Sequence, residues 1–172
     1  MPDLKMLDKA EIFVPFAKSE RQADGSVVVY GKVTDATVDL DGQIADPTWS
    51  KAALGDWFER AANIREMHQP SAVGKGLELT VDGDATYLKA KIVDPVAARK
   101  VTEGVYTGYS WGAKRPIVVP DPSKKAPGGI IKGGLIVEVS VVDQPANPSA
   151  TFTLAITFKL DALRKAVAPK QP

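Results

Sequence analysis

Hydrophobic residues recur along this chain at two spacings, and each spacing predicts a different element. Period-two and β-branched segments dominate. Ser26 to Thr34 follows the turn signal Asp24-Gly25 and reads as a strand. Gly76 to Val81 and Thr86 to Val93 flank Asp82-Gly83-Asp84, the signature of a hairpin. In the second of these, Leu88, Ala90 and Ile92 share one face while Lys89 and Lys91 share the other. Val105 to Ala113, Gly134 to Asp143 and Ala150 to Phe158 complete at least six predicted strands.

Helical spacing appears after Asp46-Pro47 and after Asp94-Pro95. In both pairs an N-cap acceptor precedes a proline at the first helical position, where a missing N–H costs nothing. Leu54, Trp57, Phe58 and Ala61 form an apolar stripe that predicts packing of the first helix on the strands. Asp39-Leu40-Asp41-Gly42 reads as a turn, and Pro120 to Gly129 as an exposed, mobile loop. Leu160 to Val167 has a weak helical pattern, which fades into Ala168-Pro169-Lys170-Gln171-Pro172. The pattern predicts a β-rich α+β fold, a small and mainly antiparallel barrel with peripheral helices. It divides into a domain over residues 1–158 and a C-terminal tail or linker over 159–172.

Composition narrows the functions. At 172 residues the chain suits one domain with a single core. A net charge of +1 argues against a protein that binds nucleic acid by neutralising phosphates. The absence of cysteine excludes disulfides and thiolate metal sites and leaves nucleophilic catalysis to a hydroxyl or an amine. With one histidine, a zinc site is disfavoured too. No apolar leader follows Met1-Pro2-Asp3-Leu4-Lys5, and no run approaches the ~20 apolar residues that span a bilayer. The expectation is a soluble intracellular protein with no cofactor, no metal, and no nucleic-acid or membrane partner.

That single histidine, His68, can be the only imidazole base of a hydrolytic site. A lone histidine is more often structural, but alternation puts Ile64, Glu66 and His68 on one face of a strand ended by Gln69-Pro70, where a cleft can open. Gly108-Tyr109-Ser110-Trp111-Gly112 is the best nucleophile segment. Its bulky face can anchor the strand, and Ser110 stands between glycines that permit close approach of a peptide. A bend that needs glycine, with Ser110 incidental, accounts for the same pattern. Alternation through Leu135 to Asp143 puts Ile136, Glu138, Ser140 and Val142 on one face. Glu138 there is either a partner for the imidazole or, as the segment alone favours, a solvent-facing glutamate. Glu66 and Asp143 compete as the acid, and Ser140 is a weaker candidate nucleophile.

The ordered set resembles a known family. Asp-x-Asp-Gly precedes a helix, then come His68, Gly-Tyr-Ser-x-Gly, and Glu138-Val139-Ser140-Val141-Val142-Asp143-Gln144-Pro145-Ala146-Asn147-Pro148. Over about Tyr30 to Phe152 the chain resembles the prohead, or capsid maturation, serine proteases of tailed phages. The resemblance implies an assemblin-like fold, His68 as general base, Ser110 as nucleophile and Glu138 as the third member. It implies the phage scaffold and major capsid protein as substrates and partners, cleavage of the protease itself, and action inside the immature capsid in the host bacterial cytoplasm. It leaves a homodimer open, along with a catalytically inactive assembly protein that binds scaffold or capsid. Gly42-Gln43 departs from the Gly-Asp often found at that turn, and the amides near Lys114 and Arg115 are the oxyanion donors suggested by proximity to Ser110.

Overall fold

The computed structural model describes residues 5–6 and 9–144; the side chains of 5–15, 17 and 18 lie outside the description. In chain order the elements are β1 (Lys5–Met6), β2 (Lys9–Arg21), β3 (Val27–Thr34), β4 (Gln43–Ala45), α1 (Pro47–Arg60), β5 (Asn63–Glu66), β6 (Ala72–Asp82), β7 (Ala85–Ile92), α2 (Pro95–Thr102), β8 (Gly108–Val119) and β9 (Gly129–Val142). The expected strand over Ala150 to Phe158, the Pro145-to-Pro148 end of the shared motif and the tail lie outside the described residues.

Both helices start where the Asp-Pro pairs place them. Asp46 accepts the Trp49 amide at 2.9 Å and Asp94 the Ala97 amide at 2.8 Å, each cap contributing about 1 kcal/mol. Leu54 and Trp57 of the α1 stripe are fully buried and Phe58 packs beside them, whereas Ala61 falls at the C-cap and is exposed. Alternation holds in β3, where Val27, Val29 and Val33 are buried, and in β7, where Leu88, Ala90 and Ile92 are buried against the two lysines facing out. These residues join Tyr109, Trp111, Ile136, Val139 and Val141 in one core.

The β-rich α+β class with two peripheral helices and mostly antiparallel pairs is as expected, but the architecture corrects the expectation of a small barrel. The strands form one mixed sheet of nine in the order β1-β8-β2-β3-β7-β6-β5-β9-β4. It coils so that β8 also pairs with β9, and β1 and β4 remain as edges with one neighbour each among the described residues. Two pairs are parallel: Gln43–Ala45 beside Gly129–Ile131, and Ile64–Glu66 beside Val139–Val141. β4 and β5 therefore run parallel to each other on either side of β9, and α1 is the crossover that carries the chain between them. Alternation reports which way side chains face but says nothing of partner or direction, so this pairing was not visible in the pattern.

Pro120 to Gly129, expected to be an exposed, mobile loop, is mostly exposed and carries its own hydrogen bonds. Asp121 accepts the amides of Ser123 at 3.0 Å and Ala126 at 2.9 Å, and Ala126 is buried. Donors on this scale hold the Asp121 carboxyl below the usual carboxylate range. The Gly128 amide then donates to Gly42 at 2.8 Å, joining this turn to the predicted Asp39–Gly42 turn, in which Gly42 has φ +70°.

Candidate active site

β8 is fixed from its core side. Tyr109 and Trp111 are wholly buried, contributing roughly 2–3 kcal/mol each at this size. The Tyr109 hydroxyl donates to the Val29 carbonyl at 3.0 Å, its ring meets Phe16 edge-on, and Trp111 meets Trp49 in the same way. Alternation therefore turns Ser110 to the opposite face, next to β9, where its register partner is Ser140.

β9 reaches that face through a bulge. Gly112 pairs with Glu138 but Ala113 pairs with Ile136, so Val137 is the extra residue. The bulge reverses the alternation. Ile136, expected beside Glu138, instead lies in the core with Val139 and Val141, while Leu135 is exposed. Beyond the bulge Glu138 and Ser140 share one face, as expected. Glu138 is not the solvent-facing glutamate its segment suggests: it is 3% exposed. Gly112 makes that burial feasible, because a Cβ there would overlap Glu138 Oε1. This glycine makes room for the carboxylate, a role its own segment did not reveal.

The histidine arrives by a third route. β5 stops at Glu66, and Met67 and His68 follow with φ +50° and +57°. Two left-handed residues without glycine cost roughly 1–2 kcal/mol each, so the surroundings must hold them. The Met67 amide donates to Val141 at 3.0 Å, the Gln69 amide to Glu66 at 2.9 Å, and the His68 amide to Ser140 Oγ at 3.1 Å. Because the strand ends early, Glu66 and His68 do not share a face as alternation predicts.

The outcome is a chain of short hydrogen bonds. His68 Nδ1 lies 2.5 Å from Glu138 Oε1, and His68 Nε2 lies 2.8 Å from Ser110 Oγ. Ser140 Oγ donates to Glu138 Oε2 at 2.6 Å. A carboxylate accepts only, so Glu138 selects the tautomer with a proton on Nδ1. Nε2 is then left with a lone pair aimed at the Ser110 hydroxyl, the arrangement that withdraws a proton from an attacking oxygen. Ser110 is 3% exposed and the His68 side chain 12%, which keeps these contacts out of bulk water and strengthens them.

The competing acids are placed elsewhere. Glu66 accepts the Tyr106 hydroxyl at 2.6 Å and pairs with Lys100 at 3.5 Å. Asp143 is exposed beyond the end of β9, where its carbonyl accepts the Thr107 hydroxyl at 3.2 Å. Ser140, the weaker candidate nucleophile, donates its hydroxyl hydrogen bond to Glu138 and accepts the His68 amide. Lys114 lies roughly 13 Å along β8 from Ser110, and Arg115 beyond it is left-handed at φ +49°. Among the described residues no group of three or more histidine or carboxylate side chains is gathered as metal ligands would be, and no helix is long and apolar enough to cross a membrane.

Comparison with known proteins gives a fold relationship. No family model matches the chain, and no curated protein matches it by sequence. Among solved structures it is similar to the bacteriophage T4 capsid assembly protease, gp21, with a TM-score of 0.57 and 14% identity. The match covers 84% of this chain and 99% of that one. At this identity the two share a fold.

Proposed function

We propose that this chain is a serine endopeptidase of phage capsid maturation, with Ser110 as nucleophile, His68 as general base and Glu138 as the acid that orients it. The reading is carried by one observation: the unbroken Ser110–His68–Glu138 hydrogen-bond chain, built from three separate strands' ends and faces. The fold shared with a capsid assembly protease supports it and bears on the substrates. These are the scaffold, scaffold-like segments of the major capsid protein, and the protease itself, cleaved inside the immature capsid.

In this mechanism the Ser110 proton moves to Nε2 as Oγ bonds to the scissile carbonyl carbon. Glu138 stabilises the imidazolium that forms. The imidazolium returns its proton to the leaving nitrogen as the C–N bond breaks, leaving an acyl ester on Ser110. Water, deprotonated by the same nitrogen, then hydrolyses the ester and restores the serine.

A fluorophosphonate probe tests the reading directly. Labelling is expected at Ser110, absent in Ser110→Ala and nearly absent in His68→Ala. Cleavage of scaffold should fall by on the order of 10⁶ in either variant, because members of such a triad act as a unit. A correctly folded wild-type protein that takes up no probe and cuts neither scaffold nor itself would leave an inactive assembly protein instead.

A further inference from the structure

We infer that Ser140 is a positioning residue that couples the orientation of the acid to the placement of the base, an inference that rests on the protease reading of the site. Its hydroxyl has two partners, one on its own strand and one in the turn after β5. It donates to Glu138 Oε2 at 2.6 Å and accepts the His68 amide at 3.1 Å. Ser140 is wholly buried, so no water competes for either bond.

Each bond answers a separate need. A buried carboxylate oxygen left without a donor is costly, and Glu138 offers only Oε1 to the imidazole. With Oε2 occupied by Ser140, the carboxylate cannot rotate to present its other oxygen without breaking a charge-assisted bond. The second bond holds a backbone that does not favour its own conformation, since His68 is left-handed at φ +57°. One oxygen therefore fixes both ends of the His68–Glu138 contact. Serine is suited to this because a hydroxyl donates and accepts together; cross-strand pairing with Ser110 sets it at the right height.

The test uses the full chain and its single histidine, whose ring proton on Nδ1 gives an unambiguous downfield NMR signal when held by Glu138. Wild type is expected to show that signal and to label at Ser110. Ser140→Ala should lose or broaden the signal and label ten- to a hundredfold more slowly, the scale seen when groups that orient a functional histidine are removed. Ser140→Thr, which keeps the hydroxyl, should recover both. The inference is overturned if Ser140→Ala retains the signal and labels at the wild-type rate, even if it melts at a lower temperature. Should Ser140→Ala not fold, Ser140→Cys keeps the volume and weakens the donor; full-rate labelling of that variant overturns the inference equally. A wild-type protein that shows the signal but takes up no probe separates failure of the protease reading from failure of the positioning role.

Discussion

Two glutamates flank the His68 turn, and they sit in matching company. Glu138 is bonded to a hydroxyl, Ser140, and to a base, His68; Glu66 is bonded to a hydroxyl, Tyr106, and to a base, Lys100. The short hydroxyl contact is 2.6 Å in both. Yet only one of them reaches a further hydroxyl through its base. Lys100 Nζ carries donors alone and is half exposed, its ammonium held charged by the Tyr106 hydroxyl and by Glu66. His68 has a second nitrogen with a lone pair, and that nitrogen meets Ser110. The Glu66 cluster instead ties the end of β5 to α2 and to the segment before β8, with the Lys100 ammonium also over the Tyr106 ring. Carboxylate, hydroxyl and base in one place are therefore not enough. On the proposed reading, what separates chemistry from scaffolding is a base that can take up a proton, next to a hydroxyl that has one to give.

The sharpest way to break this comparison is to make the same change in both glutamates. Glu138→Gln turns an acceptor into a group with an amide donor, which favours the wrong histidine tautomer. Peptide cleavage should fall by about 10⁴-fold with the fold retained, as when a triad aspartate becomes asparagine. Glu66→Gln should lower stability by about 1 kcal/mol, read by denaturant midpoint, and leave cleavage within a few-fold. Equal losses of activity would mean that the two clusters are one functional unit.

Gly112→Ala sharpens the contrast further, because nothing comparable crowds Glu66 in the described contacts. A methyl group there must displace the Glu138 carboxylate. Displacement on the order of 1 Å should reduce labelling of Ser110 by about 10²-fold. Glu138→Asp in the same chain shortens the acid and should restore melting temperature without restoring activity. An active Gly112→Ala protein would show that the carboxylate has room to spare.

The smallest expected effect concerns a third carboxylate. Asp39 Oδ1 accepts the Gln43 amide at 2.7 Å, whereas Oδ2 is buried with no partner. Burial, with the nearby Asp41 charge, pushes the Asp39 carboxyl up to about 6 from 3.8. The folded state thus binds more protons than the unfolded chain between those values. This contribution to stability is complete below about pH 4 and is lost as pH rises through 6. Asp39→Asn keeps an acceptor for Gln43 and removes the charge. It should raise stability at pH 7.5 by about 1 kcal/mol, after allowance for solvent screening, and by nothing near pH 4. Thermal melts at the two pH values check the sign.

Much of this site was legible because its chemistry is scarce. One histidine, a serine between glycines and a glutamate in an apolar strand are conspicuous in 172 residues, and alternation turned Ser110 and Glu138 away from the core correctly. Three things were not legible. The bulge at Val137 has no marker among the β-branched residues around it, so Ile136 was assigned to the wrong face. The left-handed Met67-His68 turn is imposed by hydrogen bonds from β9 and is not encoded by residues that prefer that conformation. The role of Gly112 exists only across a strand pair, once Glu138 stands opposite it. β2 escaped for a different reason: Ile12-Phe13-Val14 is an unbroken apolar run followed by Pro15, which conceals the alternation that marks a strand.

The pairing of β9 has a consequence in time. His68 and Ser110 are 42 residues apart, and His68 and Glu138 are 70 apart. The Val141 carbonyl, the Ser140 hydroxyl and the Glu138 carboxylate, which bond the histidine turn and its ring, all come from the last described strand. A growing chain that has emerged as far as β8 already carries its serine and its histidine but lacks these three groups. Long-range pairings of this kind also form slowly. On the proposed protease reading, a chain still in synthesis has no assembled triad and gains one only when β9 pairs with β5 and β8.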